Sequence, residues 1–160
     1  MSLDKYQQKR DFARTNEPPP GSASDSESRF VIQKHRASNL HYDFRLEHPD
    51  EETGEIVLKS WAVPKNLPRE KKERHLAIPT EDHPVNYIDF EGEIPEGNYG
   101  AGTVTIWDRG TWEKEGGSLA EGKMVFQLKG EKIKGTYVLV ETAYGSKEKG
   151  KKNWLIFKKN

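Results

Sequence analysis

From Leu40 onward the chain alternates without a break: Leu40, Tyr42, Phe44 and Leu46 against His41, Asp43, Arg45 and Glu47. Side chains of a strand change face at every residue. The segment therefore predicts a strand with a large apolar inner face. Its outer face carries an imidazole, a carboxylate and a guanidinium in a row. Upstream, Phe30 and Ile32 alternate with Val31, Gln33 and His35, and Arg36-Ala37-Ser38-Asn39 has the composition of a turn. A hairpin folded there brings His35 beside His41 and Asp43.

The same reading extends along the chain. Strands are expected over 29–35, 40–47, 57–63, 75–78, 88–93, 102–108, 123–128, 135–142 and 153–158, separated at short intervals by Gly, Pro, Asn and Asp. No segment of helical period competes. Many short strands with turn signals predict an all-β protein: a small closed antiparallel β-barrel. Trp61, Trp107, Trp112 and Trp154 are expected to pack its core and rim. Residues 1–28 read as an N-terminal arm ending in a Pro/Ser-rich linker, Pro18-Pro19-Pro20-Gly21-Ser22 and onward, and residues 29–160 as the barrel domain.

Composition narrows the classes. Only 32% of the 160 residues are hydrophobic, so the core is lean, and no apolar run is long enough to span a membrane. The start lacks the apolar core of a signal peptide. The absence of cysteine excludes disulfides, thiolate metal sites and a cysteine nucleophile, and fits a cytoplasmic protein. With 26 basic and 26 acidic residues the net charge is zero, but the charges are unevenly placed. Residues 47–55 form an acidic loop, while Lys147, Lys149, Lys151 and Lys152 cluster near the end. That cluster reads equally as a solvated loop or a phosphate-contact surface.

Two histidines and an aspartate form a nitrogen-and-oxygen metal site that leaves positions open for water or substrate. Arg45 on the same face suits an anion, so His35, His41, Asp43 and Arg45 point to a metal or phosphate site. Glu81-Asp82-His83-Pro84, with Tyr87 close behind, adds polar chemistry in a loop. Pro95-Glu96-Gly97-Asn98-Tyr99-Gly100 lacks the strand–loop–helix setting of a nucleotide cradle and reads as a structural connection.

Taken together, five motifs resemble one family. Gln33-Lys34-His35 with His41-Tyr42-Asp43-Phe44-Arg45, then Lys59 to Lys65, Glu81 to Tyr87, Glu91 to Asp108, and the arm from Tyr6 to Pro18 are similar to the 3′-phosphoesterase domain of bacterial DNA ligase D. The resemblance implies a β-barrel with the site on its outer surface, and a divalent metal, typically manganese (Mn2+), on His35, His41 and Asp43. It implies that Arg45, His83 and Tyr87 contact the scissile phosphate and that Arg10, Asp11, Glu17 and Gln33 support the site. It implies too that Lys65 helps to remove a terminal phosphate. Family members trim 3′ ends of DNA or RNA/DNA primer-templates: a phosphodiesterase step removes a terminal ribonucleoside, and a phosphomonoesterase step converts the resulting 3′-phosphate to 3′-OH. The ligase and polymerase that accompany the domain are missing, so a free-standing, monomeric member is expected. Separate ligase, polymerase and end-binding proteins are its expected partners. One departure stands out: His75, ten residues after Lys65, occupies a position where the family often has arginine, with Arg74 beside it. The resemblance therefore implies a weaker phosphomonoesterase step.

Two readings of other classes compete at this stage. An iron(II)-dependent, cupin-like oxygenase also uses His-x-Asp with a distant histidine on a β frame, but leaves Lys65 and Tyr87 unexplained. A non-catalytic nucleic-acid module would use the lysine-rich end alone.

Overall fold

The computed structural model describes residues 3–18, 20, 28–143 and 152–159. Among these, nine strands pair antiparallel: β1 (Arg29–Arg36), β2 (Leu40–Pro49), β3 (Ile56–Val63), β4 (Arg74–His83), β5 (Gly92–Ile94), β6 (Gly102–Ser118), β7 (Lys123–Gly130), β8 (Lys134–Thr142) and β9 (Asn153–Lys158). Eight of them form a ring in the order β1-β2-β3-β4-β9-β8-β7-β6, closed where β6 returns to β1, and β5 joins β6 as an extra strand. The expected closed antiparallel barrel is what this sequence folds into. Closure depends on the length of β6. Its first half pairs with β1 and its second half with β7. Where it changes partner, a Cβ on Gly110 would run into the Lys129 carbonyl, so the corner admits only glycine.

The barrel is filled by Phe30, Ile32, Phe44, Leu46, Trp61, Trp112, Phe126, Tyr137 and Leu139, among others. Each such side chain contributes about 1.5–3 kcal/mol on burial. A second apolar cluster lies on the outside of the β1 face. Val31, Leu58 and Val104 from the strands meet Tyr6, Tyr87, Ile88, Phe90 and Ile94 there. This outer core exists because the arm folds back: a short helix, α1 (Asp4–Gln8), carries a fully buried Tyr6 onto the barrel wall.

Several sequence expectations are corrected. Leu40 is 45% exposed rather than inward, because it pairs with Arg36 at the very tip of the β1–β2 hairpin, beyond the end of the core. Five-residue α1 was not foreseen: it is too short to show an apolar period, and only Tyr6 is buried. The strand expected over 88–93 is a 3-10 helix, Val85–Asp89, followed by β5. Gln33 holds that turn, donating from Nε2 to the carbonyls of Tyr87 and Phe90. Glu81, Asp82 and His83 belong to the end of β4 and not to a loop. Residues 47–55 are mostly hairpin: β2 runs to Pro49, and the Asp50 carboxylate accepts the N–H groups of Glu52 and Thr53 in the turn. Of the lysine-rich cluster, Lys147, Lys149 and Lys151 lie outside the described residues. Lys152 pairs with Glu141 at 3.5 Å.

Candidate active site

Antiparallel register puts His35 opposite His41 and Gln33 opposite Asp43. On the outer face of this hairpin, ligand atoms of His35, His41 and Asp43 lie within 4.8 Å of one another. Each imidazole turns one nitrogen to the carboxylate and anchors the other on a backbone carbonyl. His35 Nδ1 lies 3.4 Å from Asp43 Oδ2, while its Nε2 donates to the Gly100 carbonyl at 2.7 Å. His41 Nε2 lies 3.3 Å from Asp43 Oδ1, and its Nδ1 donates to the Asn39 carbonyl. A carbonyl behind each ring fixes the tautomer that leaves the inward nitrogen free to ligate, which is how metal-binding histidines are ordinarily held. Gly100 has φ near +75°, where glycine is favoured, and a Cβ there would press within 3.4 Å of the His35 ring.

Asp43 is buried, which by itself would raise its pKa. The Arg45 guanidinium and, when the rings are protonated, the hydrogen bonds from His35 and His41 outweigh burial and hold it well below the usual carboxylate range. The hydrogen bond to Asp43 raises the His41 pKa. A divalent ion fits this set: a fixed carboxylate and two neutral nitrogens facing the same point.

Two arginines converge beside it. Arg45 donates from Nε to Gln33 Oε1 at 2.7 Å, and its Nη2 lies 3.5 Å from Asp43. Arg10 comes from the arm. Its Nε reaches Glu17 at 2.9 Å and its Nη1 reaches Glu81 at 3.0 Å. His83 sits between them, with Nδ1 3.2 Å from Arg45 Nη1 and Nε2 3.4 Å from Arg10 Nη2. Burial and those two positive charges push its pKa well down. The neutral ring donates from Nδ1 to the Glu81 carbonyl at 2.9 Å, so the lone pair is on Nε2, facing Arg10. Tyr87 packs edge-on against His83, lies under the Arg45 guanidinium and donates its hydroxyl to Glu17 at 2.7 Å. Burial, with Glu17 alongside, raises the phenol pKa far above its ordinary value.

These groups line one cavity of about 280 Å³: Arg10, Glu17, His35, His41, Asp43, Arg45, Glu81, His83 and Tyr87, with Tyr99 and Gly100 at its edge. Gln33 stands behind it, holding both Arg45 and the Tyr87 turn. Three expected site residues stand elsewhere. Asp11 is exposed and caps a turn of the arm, accepting the Ala13 N–H at 3.1 Å. Lys65 and His75 line a neighbouring hollow; His75 is tied to the Asn66 carbonyl and to Glu73 at 3.1 Å. Nothing in the sequence assigns a role to Glu81, Lys9 or Tyr99, although all three stand in the motifs quoted above. Lys9 and Arg10 both pair with Glu81, and Lys9 also reaches the Tyr99 hydroxyl at 3.3 Å.

Residues 33–141 match the family model of the DNA ligase D 3′-phosphoesterase domain. The multifunctional non-homologous end joining protein LigD of Pseudomonas aeruginosa is 44% identical over 164 residues, covering 98% of this chain and 18% of that protein. Its namesake in Mycolicibacterium smegmatis is 43% identical, over 96% of this chain and 20% of its own length. The multifunctional non-homologous end joining DNA repair protein LigD of Mycobacterium tuberculosis is 47% identical over 144 residues, 88% of this chain and 18% of its own. The chain thus spans about a fifth of the length of these curated relatives.

Proposed function

The chain belongs to the DNA ligase D 3′-phosphoesterase domain family, and on that premise we propose that it is a manganese-dependent hydrolase that heals 3′ ends in DNA repair. Its substrates are DNA or RNA/DNA primer strands. It removes a 3′-terminal ribonucleoside and then the 3′-phosphate left behind. The observation that carries this reading is the convergence, in one cavity, of the His35/His41/Asp43 ligand set with the Arg10–His83–Arg45 trio.

A divalent ion on the triad supplies Lewis-acid stabilisation of the phosphoryl oxygens. Arg45 offers a planar fork to a phosphate and meets the charge that grows in the transition state. Gln33 and Asp43 fix it from behind, so little reorganisation is needed. Arg10 gives a second cation, held by Glu17 and Glu81. In the diesterase step the P–O5′ bond breaks, a water oxygen takes its place on phosphorus, and the leaving O5′ takes a proton. In this reading His83 Nε2 supplies that proton. Without substrate it is neutral, between two guanidiniums. A phosphate seated against Arg10 and Arg45 offsets their field, raises the His83 pKa and lets the ring carry the proton. The two buried guanidiniums favour an anionic ligand over the dioxygen of a cupin-like oxygenase.

Hydrolysis of a labelled primer-template ending in one ribonucleotide, with and without Mn2+, tests the reading directly.

A further inference from the structure

Three of the four tryptophans are buried in the barrel, at 3%, 8% and 8% exposure; Trp107 is the partly exposed one. A specific irregularity puts it at the barrel mouth. β1 pairs Ile32 with Asp108 but Gln33 with Ile106, so Trp107 is the extra residue of a β-bulge. The bulge turns Ile106 to the outer cluster and Trp107 inward, edge-on to Tyr42 at 6.0 Å. The next residue builds the cation beside it. Buried Asp108 accepts the N–H groups of Glu131, Lys132 and Ile133, which folds that turn and sets Lys132 Nζ 5.1 Å from the Trp107 ring centre. Arg69 approaches the same ring at 6.0 Å, and its Nη2 donates to the Lys132 carbonyl at 3.3 Å.

Tyr42 and Arg69 line a hollow with Lys65 and His75. A second hollow continues it through Arg69 to Lys71, Lys72 and Lys158. The two hollows carry five cations, Lys65, Arg69, Lys71, Lys72 and Lys158, against two carboxylates, Glu70 and Glu73, and Glu73 already faces His75. Lys132 beside Trp107 adds a sixth cation and its neighbour Glu131 a third carboxylate. This surface begins at the edge of the candidate active site. His41 lines the catalytic cavity while Tyr42, the next residue, lines the hollow; Ala62 and Pro64 divide in the same way.

We propose that this mouth is a binding surface for single-stranded nucleic acid, with Trp107 as a base-stacking platform and Arg69 and Lys132 as backbone-phosphate contacts. The proposal rests on the end-healing reading for the identity of the ligand and deepens it. A 3′ end unpaired from its template over the last few nucleotides, with its phosphate at Arg45, crosses the β2–β3 rim and lays those preceding bases on Trp107. A partly exposed aromatic beside cations is how non-specific single-strand sites are made, because every base has a face to stack and a phosphate to pair. Here Lys132 Nζ is held on the Trp107 carbonyl at 2.6 Å, which keeps its charge at the ring.

The test is anisotropy titration of a labelled 12-residue oligothymidylate with the whole protein in EDTA, so that no turnover occurs. Trp107→Ala should weaken binding roughly 5- to 150-fold, the usual range for one lost base stack, while Trp107→Phe keeps most of the affinity. Arg69→Gln combined with Lys132→Gln, both at exposed positions, should flatten the slope of log affinity against log salt by up to about 1.4. Hydrolysis of bis(p-nitrophenyl) phosphate with Mn2+, a substrate with no strand, should be unchanged in all three. Wild-type affinity in Trp107→Ala with an unaltered melting curve overturns the proposal, as it must if the surface docks a protein instead. So does an unchanged salt slope in the double variant, which decides the matter if Trp107→Ala does not fold. Equal loss of small-substrate hydrolysis in these variants would also overturn it. A wild-type protein that binds the oligonucleotide but cannot hydrolyse the small diester would instead contradict the hydrolase reading alone.

Discussion

The hydroxyl of Tyr87 donates to Glu17 at 2.7 Å across 70 residues of sequence, so that a residue of the arm and a residue of the barrel meet inside the candidate site. The same Glu17 oxygen accepts from Arg10 Nε, and Tyr6 of α1 donates to the Pro18 carbonyl. The arm is therefore one wall of the cavity.

Glu17→Ala should damage both fold and function. It leaves Arg10, 5% exposed, short of a charge partner and Tyr87 without its acceptor. Removing one partner of a buried pair costs about 3–5 kcal/mol. Urea denaturation should show a loss of that size, and Glu17→Gln, which can still accept the phenol, should recover part of it.

The ligand set predicts metal-linked stability. With Mn2+ at about 100 times its dissociation constant the folded state gains about 2.7 kcal/mol, a rise of roughly 5–10 °C in melting temperature at this chain length. His41→Ala should lose the shift and the activity together. An equal shift in the variant would place the metal elsewhere.

Arg45→Ala should lower the diesterase rate by about 10²–10³ while the metal-dependent melting shift persists, because Arg45 orients Asp43 without being a ligand. Arg45→Lys should not restore the rate, since an ammonium cannot make the bidentate fork. Steady-state kinetics with matched melting curves separate the two effects.

The inner face of β2 was legible from Tyr42 to Leu46 because strict alternation allows one register when one side must be buried. The grouping of His35, His41 and Asp43 was legible for the same reason, since a hairpin of that length sets His35 against His41. The residues that complete the pocket were not. Lys9 and Glu81 bond across 72 residues of sequence, and Tyr6 packs on His83 and Tyr87, in contacts with no local period. Gly100, in a segment that reads as plain connection, supplies the carbonyl behind His35. For Lys65 and His75 the resemblance marks two positions, the second ordinarily arginine, and the geometry gives both a separate hollow.

His83 predicts the sign of a pH effect. Burial, Arg45 and Arg10 depress its folded pKa below the unfolded reference of about 6.5. As pH falls through that value the unfolded chain takes up a proton that the folded one refuses. Stability is therefore complete above about pH 6.5 and is lost below it, with a slope approaching ~1.4 kcal/mol per pH unit. His83→Gln removes this term, so between pH 7.5 and 5.5 the variant should lose less stability than the wild type. Parallel losses would mean that His83 is protonated as easily in the fold as out of it.

The most direct measurement is a time course with purified protein and Mn2+ on a 5′-labelled primer-template ending in a single ribonucleotide. A product shorter by one nucleoside and bearing a 3′-phosphate should build up before 3′-OH ends appear, because Lys65 and His75 stand apart from the arginine pair. EDTA should abolish both products. An intact primer after prolonged incubation with metal, or full cleavage in the presence of the chelator, would contradict the claim that the triad and the Arg10–His83–Arg45 trio form a metal-dependent phosphoesterase site.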